Sequence, residues 1–230
     1  MMDQNNKYLW DIDNPLGYKN TMGYYKTKIE YEFILHHLKH DNLRILDIGG
    51  GSGRFAIPLV AREHDVTIVD NSALAMECLK KRDNGRIKFI CDDFMSCALD
   101  ENSFDAVIAI ESVLFFQDRE KLFRKINQVL VPGGIFIFTE LNKHSWRYLV
   151  HQMFRRDNTN YNVKSVDECI SVLTINGFEV DDMKGFMWIP LSVISDSLLV
   201  NLFTFIETHG GFQKWIRQSP WLLVAAQKKP

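Results

Sequence analysis

Short apolar runs alternate with stretches of helical periodicity through the middle of the chain, and the alternation predicts an open, mostly parallel β-sheet with helices on both faces. Strands are predicted at Arg44 to Ile48, Val66 to Asp70, Ile87 to Cys91, Phe104 to Ile110 and Ile135 to Thr139. Helices are predicted between them at Arg54 to Glu63, Ala73 to Arg82 and Arg119 to Leu130, the second entered through Asn71 or Ser72. The third places Leu122, Ile126, Val129 and Leu130 on one side and is stopped by Pro132-Gly133-Gly134. A helix over roughly Tyr25 to Leu38 precedes the sheet. Ser165 with Glu168 three residues on forms a capping box that opens a helix ending at Asn176-Gly177. Phe178 to Val180 and Trp221 to Ala226 complete the set of strands. Two connections, Asn142 to Val163 and Pro190 to Pro220, are long, and long connections in compact domains tend to carry function.

Composition narrows the class of protein. The 230 residues are 46% hydrophobic, enough for one buried core, so a single domain over residues 1–230 is expected. A net charge of -2 gives no global basic field of the kind that drives binding to nucleic acid. Phe186 to Ile206 is the most apolar long segment, but Pro190 and Asp196 break it, which argues against a membrane span. Met1 to Asn20 lacks the basic start and apolar run of a secretory signal, so a cytoplasmic location is the expectation. Cys78, Cys91, Cys97 and Cys169 show no paired short spacing and read as reduced core residues, with no metal site expected. His36, His37 and His40 read as surface or boundary groups.

The richest chemistry lies in Ile45-Leu46-Asp47-Ile48-Gly49-Gly50-Gly51-Ser52-Gly53-Arg54, an apolar strand feeding a glycine turn and then a helix. Glycines there let the backbone approach a ligand and aim amide N–H groups at it. A dinucleotide fingerprint would need glycine or alanine at position 54, where Arg54 obstructs close helix-to-strand packing. With the third glycine at Gly53 and an acid at Asp47, the arrangement resembles motif I of the class I S-adenosylmethionine-dependent methyltransferases, in their small-molecule, ubiquinone-biosynthesis-like branch. The resemblance covers roughly Leu43 to Glu140. Asp70 ends the second strand about 20 residues past the glycines, where a carboxylate accepts from ribose hydroxyls. Ile90-Cys91-Asp92-Asp93-Phe94 resembles the element in which an acid accepts from the adenine amino group and an apolar neighbour packs on the ring, Asp93 or alternatively Asp92 being the acid. Leu130-Val131-Pro132-Gly133-Gly134 resembles a further element of small-molecule members.

The resemblance implies a Rossmann-like doubly wound sheet of seven strands with an antiparallel C-terminal strand, residues 1–40 acting as a cap, 43–140 as the cofactor core and 141–230 as the substrate side. The implied cofactor is S-adenosylmethionine, leaving as S-adenosylhomocysteine, held by Asp47, Gly49, Gly50, Gly51, Gly53, Asp70 with Asn71, Asp92, Asp93, Phe94 and, bordering the methyl, Ile110, Glu111 and Ser112. Glu111-Ser112-Val113-Leu114 stands where methylases of planar amines carry Asn-Pro-Pro-aromatic. Oxygen, aliphatic nitrogen, carbon and sulfur acceptors stay open. A sulfonium methyl is already activated, so alignment with the acceptor and exclusion of water are the main tasks. If the acceptor must lose a proton, His144 and His151 are the candidate bases. Tyr18, Tyr24 and Tyr25 are candidate lid residues, and the aromatic segment around Trp188 is a candidate roof over an apolar substrate. The basic residues Lys143, Arg147, Arg155 and Arg156 are candidate partners for an acidic acceptor, or simply solvated charge.

These readings lead to transfer of a methyl group to O, N or C of a small, partly apolar molecule by a monomer or homodimer, without nucleic acid or membrane span. The rival functions are a protein or RNA methyltransferase, a non-catalytic methyltransferase-like interaction subunit, and a nicotinamide dehydrogenase. The near-neutral chain offers no wide basic platform for RNA.

Overall fold

The computed structural model describes residues 20–154, 162–190 and 195–230. Seven strands form one sheet in the order β3-β2-β1-β4-β5-β7-β6. They are β1 (Arg44–Ile48), β2 (Asp65–Val69), β3 (Lys88–Ile90), β4 (Phe104–Ala109), β5 (Leu130–Leu141), β6 (Phe178–Phe186) and β7 (Trp221–Lys228). The first five pair in parallel, while β7 runs antiparallel between β5 and β6.

Helices α1 (Thr21–His37), α2 (Ala56–Val60) and α3 (Ala73–Lys80) meet one apolar cluster, which also takes in Ile45, Ile108, Ile137 and Leu223. The opposite cluster holds Leu46, Val107, Phe136, Phe138 and Val224, against α4 (Arg119–Val129) and α6 (Val166–Ile175). Neighbouring residues of β1, β4, β5 and β7 thus go to opposite clusters, the two-residue repeat of a strand buried on both faces. Two further helices lie in the long connections, α5 (Trp146–Phe154) and α7 (Leu199–His209).

Local signals placed several boundaries well. Ser165 Oγ accepts from Glu168 N while the Glu168 carboxylate accepts from Ser165 N, a complete capping box. Ser72 caps α3 by accepting from Ala75 N, and Asp118 caps α4 by accepting from Lys121 N. Other expectations need correction. Pro132-Gly133-Gly134 does not precede the fifth strand but lies within it: pairing shifts from Phe104↔Leu130 to Ala106↔Ile135, and Gly133 adopts φ +75° in the resulting bulge. A Cβ at Gly134 would lie 2.9 Å from the Val131 carbonyl oxygen. The sixth strand continues past Val180 through a second irregularity to Phe186. The helix after the glycine turn spans only Ala56–Val60. Cys91, expected in the core, is exposed beyond β3, and all four cysteines are free thiols. His37 is buried with its ring within 3.3 Å of the Asp182 carboxylate. Among the described residues no helix is long and apolar enough to cross a membrane.

Candidate active site

The strand order changes direction at β1, which lies between β2 and β4, and ligands of open α/β sheets settle at the carboxyl ends of strands flanking such a switch. The glycine turn emerges there. Gly49, Gly51 and Gly53 have φ of +71°, +54° and +89°, a region that L side chains enter only with strain. The turn is tied to its neighbours through backbone groups. Gly49 N–H donates to the Val69 carbonyl at 2.8 Å, and Gly51 N–H donates to the Asp70 carboxylate at 3.0 Å. The other Asp70 oxygen accepts from Ser72 N at 2.8 Å, so one carboxylate joins the ends of β1 and β2. A Cβ at Gly49 would stand 2.7 Å from Ser112 Cβ, whereas one at Gly51 would meet nothing within 4 Å, leaving that peptide open to approach.

Asp47 lies beneath the turn at 2% exposure, and its Oδ2 has no hydrogen-bond partner. Burial pushes its carboxyl up to about 7, against the pull of Arg54 and helped by Asp70. The Ser112 hydroxyl is likewise buried without a partner. Ile110 and Glu111 are buried beside it, with Glu111 at φ +58° and its N–H donating to Thr139 Oγ1 at 2.6 Å. Asp92 and Asp93 are exposed beyond β3, each capping its own turn: Asp92 Oδ1 accepts from Asp93 N and Asp93 Oδ1 from Met95 N. Asn71 is exposed next to Asp70. Phe94 is buried edge-on against Phe116, beneath the Lys125 ammonium.

The candidates on the other side are more dispersed. His144 is exposed at the entry to α5, its N–H donating to Asn142 Oδ1. His151 falls in α5, but its side chain lies outside the described residues, as do Tyr18, Arg155 and Arg156. Lys143 is paired with Glu168 at 2.6 Å and Arg147 donates to the Ile189 carbonyl, so neither stands as a plain solvated charge. Tyr24 is exposed, and Tyr25 turns inward, where burial and the Glu207 carboxylate hold its phenol well above the usual range. Both tyrosines line a groove of about 460 Å³ between α1 and α7, together with Lys28, Asp196, Asn201 and Thr204. The Trp188 ring packs on Phe212 and Trp215, and its backbone N–H donates to Glu207.

Sequence reasoning missed a chain of buried charges beside the turn. Lys26 of α1 meets Glu111 at 2.5 Å, Arg54 meets Glu111 at 2.9 Å, and Arg54 also meets Glu30 of α1 at 3.2 Å. Although burial opposes ionisation, Lys26 and Arg54 together hold the Glu111 carboxyl below its ordinary range. The fingerprint mismatch at Arg54 was the one available signal. An arginine that cannot serve close packing must find carboxylates.

Residues 46–138 match the family model for a methyltransferase domain. Among curated proteins, the chain is 24% identical over 217 residues to a ubiquinone biosynthesis O-methyltransferase of Rickettsia canadensis, covering 86% of this chain and 90% of the relative. It is 26% identical to a sterol 24-C-methyltransferase of Gibberella zeae, over 81% of this chain but only 54% of that protein. A solved structure described as a putative sarcosine dimethylglycine methyltransferase of Galdieria sulphuraria superposes with a TM-score of 0.68 at 16% identity, over 96% of this chain and 94% of the other, which speaks to the fold.

Proposed function

We propose that this chain, whose residues 46–138 match a methyltransferase-domain model, is a class I S-adenosylmethionine-dependent methyltransferase that transfers the methyl group to an oxygen, nitrogen or carbon of a small, partly apolar molecule. The residues at the switch point suit the cofactor. Asp47 Oδ2 is an acceptor with no donor, fitting a ligand that carries an ammonium and a sulfonium. Gly51 presents an open backbone, and Asp70 keeps lone pairs for ribose hydroxyls beyond the two amides it already accepts. Asp93 or Asp92 would meet the adenine amino group. Ser112 supplies a second unpartnered polar group beside Gly49.

The bound cofactor supplies a methyl on a positively charged sulfur, the leaving group being a neutral thioether. What falls to this chain is holding the acceptor in line, excluding water and receiving a proton where the acceptor carries one. His144 and His151 are the imidazoles on the connection after β5 for that last task.

The acceptor class rests on one observation. The two helices of the long connections expose uncharged faces: Trp146, Leu149, Val150 and Met153 on α5, and Leu199, Leu202, Phe205 and Ile206 on α7. The single acid of α7, Glu207, is turned inward to the Met187 and Trp188 amides. Such surroundings favour a substrate with apolar parts over a polyanion. The names of the relatives, which speak of ubiquinone biosynthesis and sterols, point the same way. The test is incubation with methyl-labelled cofactor and a host extract separated into small-molecule, lipid, protein and RNA fractions. Label is expected in the small-molecule or lipid fraction, and label confined to protein or RNA would overturn the acceptor class. Calorimetric titration is expected to show binding of S-adenosylhomocysteine and none of NAD.

A further inference from the structure

The buried charges between α1 and the glycine turn do more than fill space. Two come from α1, Lys26 and Glu30, at 1% and 0% exposure. The other two frame the candidate cofactor site, Arg54 directly after Gly53 and Glu111 directly before Ser112. Signs alternate along the chain Lys26–Glu111–Arg54–Glu30, so the group is neutral as a whole, with the Lys26 ammonium also over the Trp221 ring at 4.2 Å. Removing several ions from water costs several kcal/mol each before pairing offsets it, and apolar residues would fill such a junction at less cost. Buried pairs of this kind are best attested where they fix one register between elements.

The register at issue is visible. Glu111 holds a left-handed backbone that a non-glycine residue keeps only when its surroundings enforce it. Its side chain is fixed by Lys26 and Arg54 and its N–H by Thr139. The next residue, Ser112, abuts Gly49 so closely that no Cβ fits between them. Arg54 in turn is clamped between Glu111 and Glu30 at the point where the turn enters α2. Displacing α1 would release both sides of the glycine turn.

We propose that Lys26 and Glu30 are positioning residues for the cofactor site: through Glu111 and Arg54 they set the spacing between the glycine turn and the end of β4, so that α1 and the cofactor stabilise one another. This rests on the methyltransferase reading above. Neither residue acts on the methyl group.

The full-length chain carrying Lys26→Met, Glu30→Gln, Lys26→Arg or Ile29→Val tests the coupling. Ile29 is a buried apolar residue of the same helix outside the charge chain, so Ile29→Val reports what loosening α1 does by itself. Lys26→Met and Glu30→Gln are expected to lower S-adenosylhomocysteine affinity by tenfold or more and to speed amide exchange at residues 49–53 and 110–112 in the ligand-free protein. Lys26→Arg, which keeps the charge, is expected to stay within threefold of the parent. Ile29→Val should lower the thermal midpoint and change affinity by no more than twofold. Affinity and exchange in Lys26→Met and Glu30→Gln no different from Ile29→Val would overturn the proposal. Should the unmutated chain bind no S-adenosylhomocysteine, the cofactor reading falls, and the exchange rates still decide whether α1 governs the turn.

Discussion

The two ends of the candidate site are built on different principles. On the side of β1, β2 and β4, position is set by backbone: Gly49 N–H on the Val69 carbonyl, Gly51 and Ser72 N–H on one carboxylate, and glycines at positive φ. On the side of α5 and α7, side chains do more of the positioning, as where Glu207 accepts from the Met187 and Trp188 amides, and many others face outward, Met153 at 77% exposure and Phe205 at 60%. A ligand common to many enzymes would be matched by a geometry that few substitutions can preserve. A ligand particular to one enzyme would be matched by surfaces that can change without unfolding the sheet. Substitutions on the two sides should therefore fail in different ways.

The largest effect is expected from Gly49→Val. The residue sits at φ +71°, and the new Cβ would fall 2.7 Å from Ser112 Cβ. A left-handed L residue costs about 1–2 kcal/mol and overpacking about 1–3 kcal/mol more. S-adenosylhomocysteine affinity should fall by at least 100-fold with a lowered thermal midpoint, both readable by calorimetry. A variant with parental affinity would place the cofactor elsewhere. Asp70→Ala comes next. It removes the carboxylate that joins Gly51 to Ser72 and is proposed to receive the ribose hydroxyls. Hydrogen bonds to a charged group contribute about 1.5–3 kcal/mol, so a loss on the order of 10–100-fold in affinity is expected.

Asp47→Asn probes the same side through pH. The folded state holds this carboxyl up to about 7 from an ordinary value of 3.8, with burial the main cause. Between those values the folded protein keeps a proton that the unfolded chain has lost, so stability falls as pH rises through that window. The asparagine variant lacks this term, and its stability relative to the parent should improve from pH 4 to 7 by up to about 1.4 kcal/mol per pH unit. Glu30 and Glu140 are raised to about 7 by the same cause, so a negative slope should persist in the variant. Denaturant titrations at four or five pH values would measure it, and parallel curves would mean that Asp47 ionises freely.

The division between the two sides also explains what could be read from sequence. The placement of Asp47, the glycines and Asp70 at the strand ends was legible because strand, turn and cap signals act over a few residues, and the capping box at Ser165 and Glu168 was legible for the same reason. Lys26 and Glu30 were not, since their partners Glu111 and Arg54 lie 85 and 24 residues away and a charge on a helix ordinarily marks its wet face. The inner face of α1 is thus partly ionic, with Lys26 and Glu30 buried beside Ile29 and Phe33. The contacts of Phe94 with Phe116 and Lys125 were not legible either, since these lie 22 and 31 residues away. Around α5 the sequence gave only basic residues and two histidines, and of α7 only apolar content, because a helix whose outer face is as apolar as its inner one has no polar stripe to define it.

The smallest change in stability, and the sharpest test of the contrast, is expected from Phe205→Gln. Phe205 faces outward on α7, with its ring stacked on the His209 imidazole. Exposed substitutions away from caps and buried pairs usually shift stability by less than about 0.5 kcal/mol. If the uncharged face of α7 receives an apolar part of the acceptor, the variant should fold and bind S-adenosylhomocysteine as the parent does, yet show a higher KM for acceptor with kcat little changed. That split follows because a contact made equally in the bound and reacting states enters KM alone. A variant with parental KM would leave α7 outside acceptor recognition, and a fall in cofactor affinity would mean that the two sides are not separable through α1, whose Met22 N–H donates to the Ser195 carbonyl and Thr21 N–H to the Asp196 carboxylate just ahead of α7.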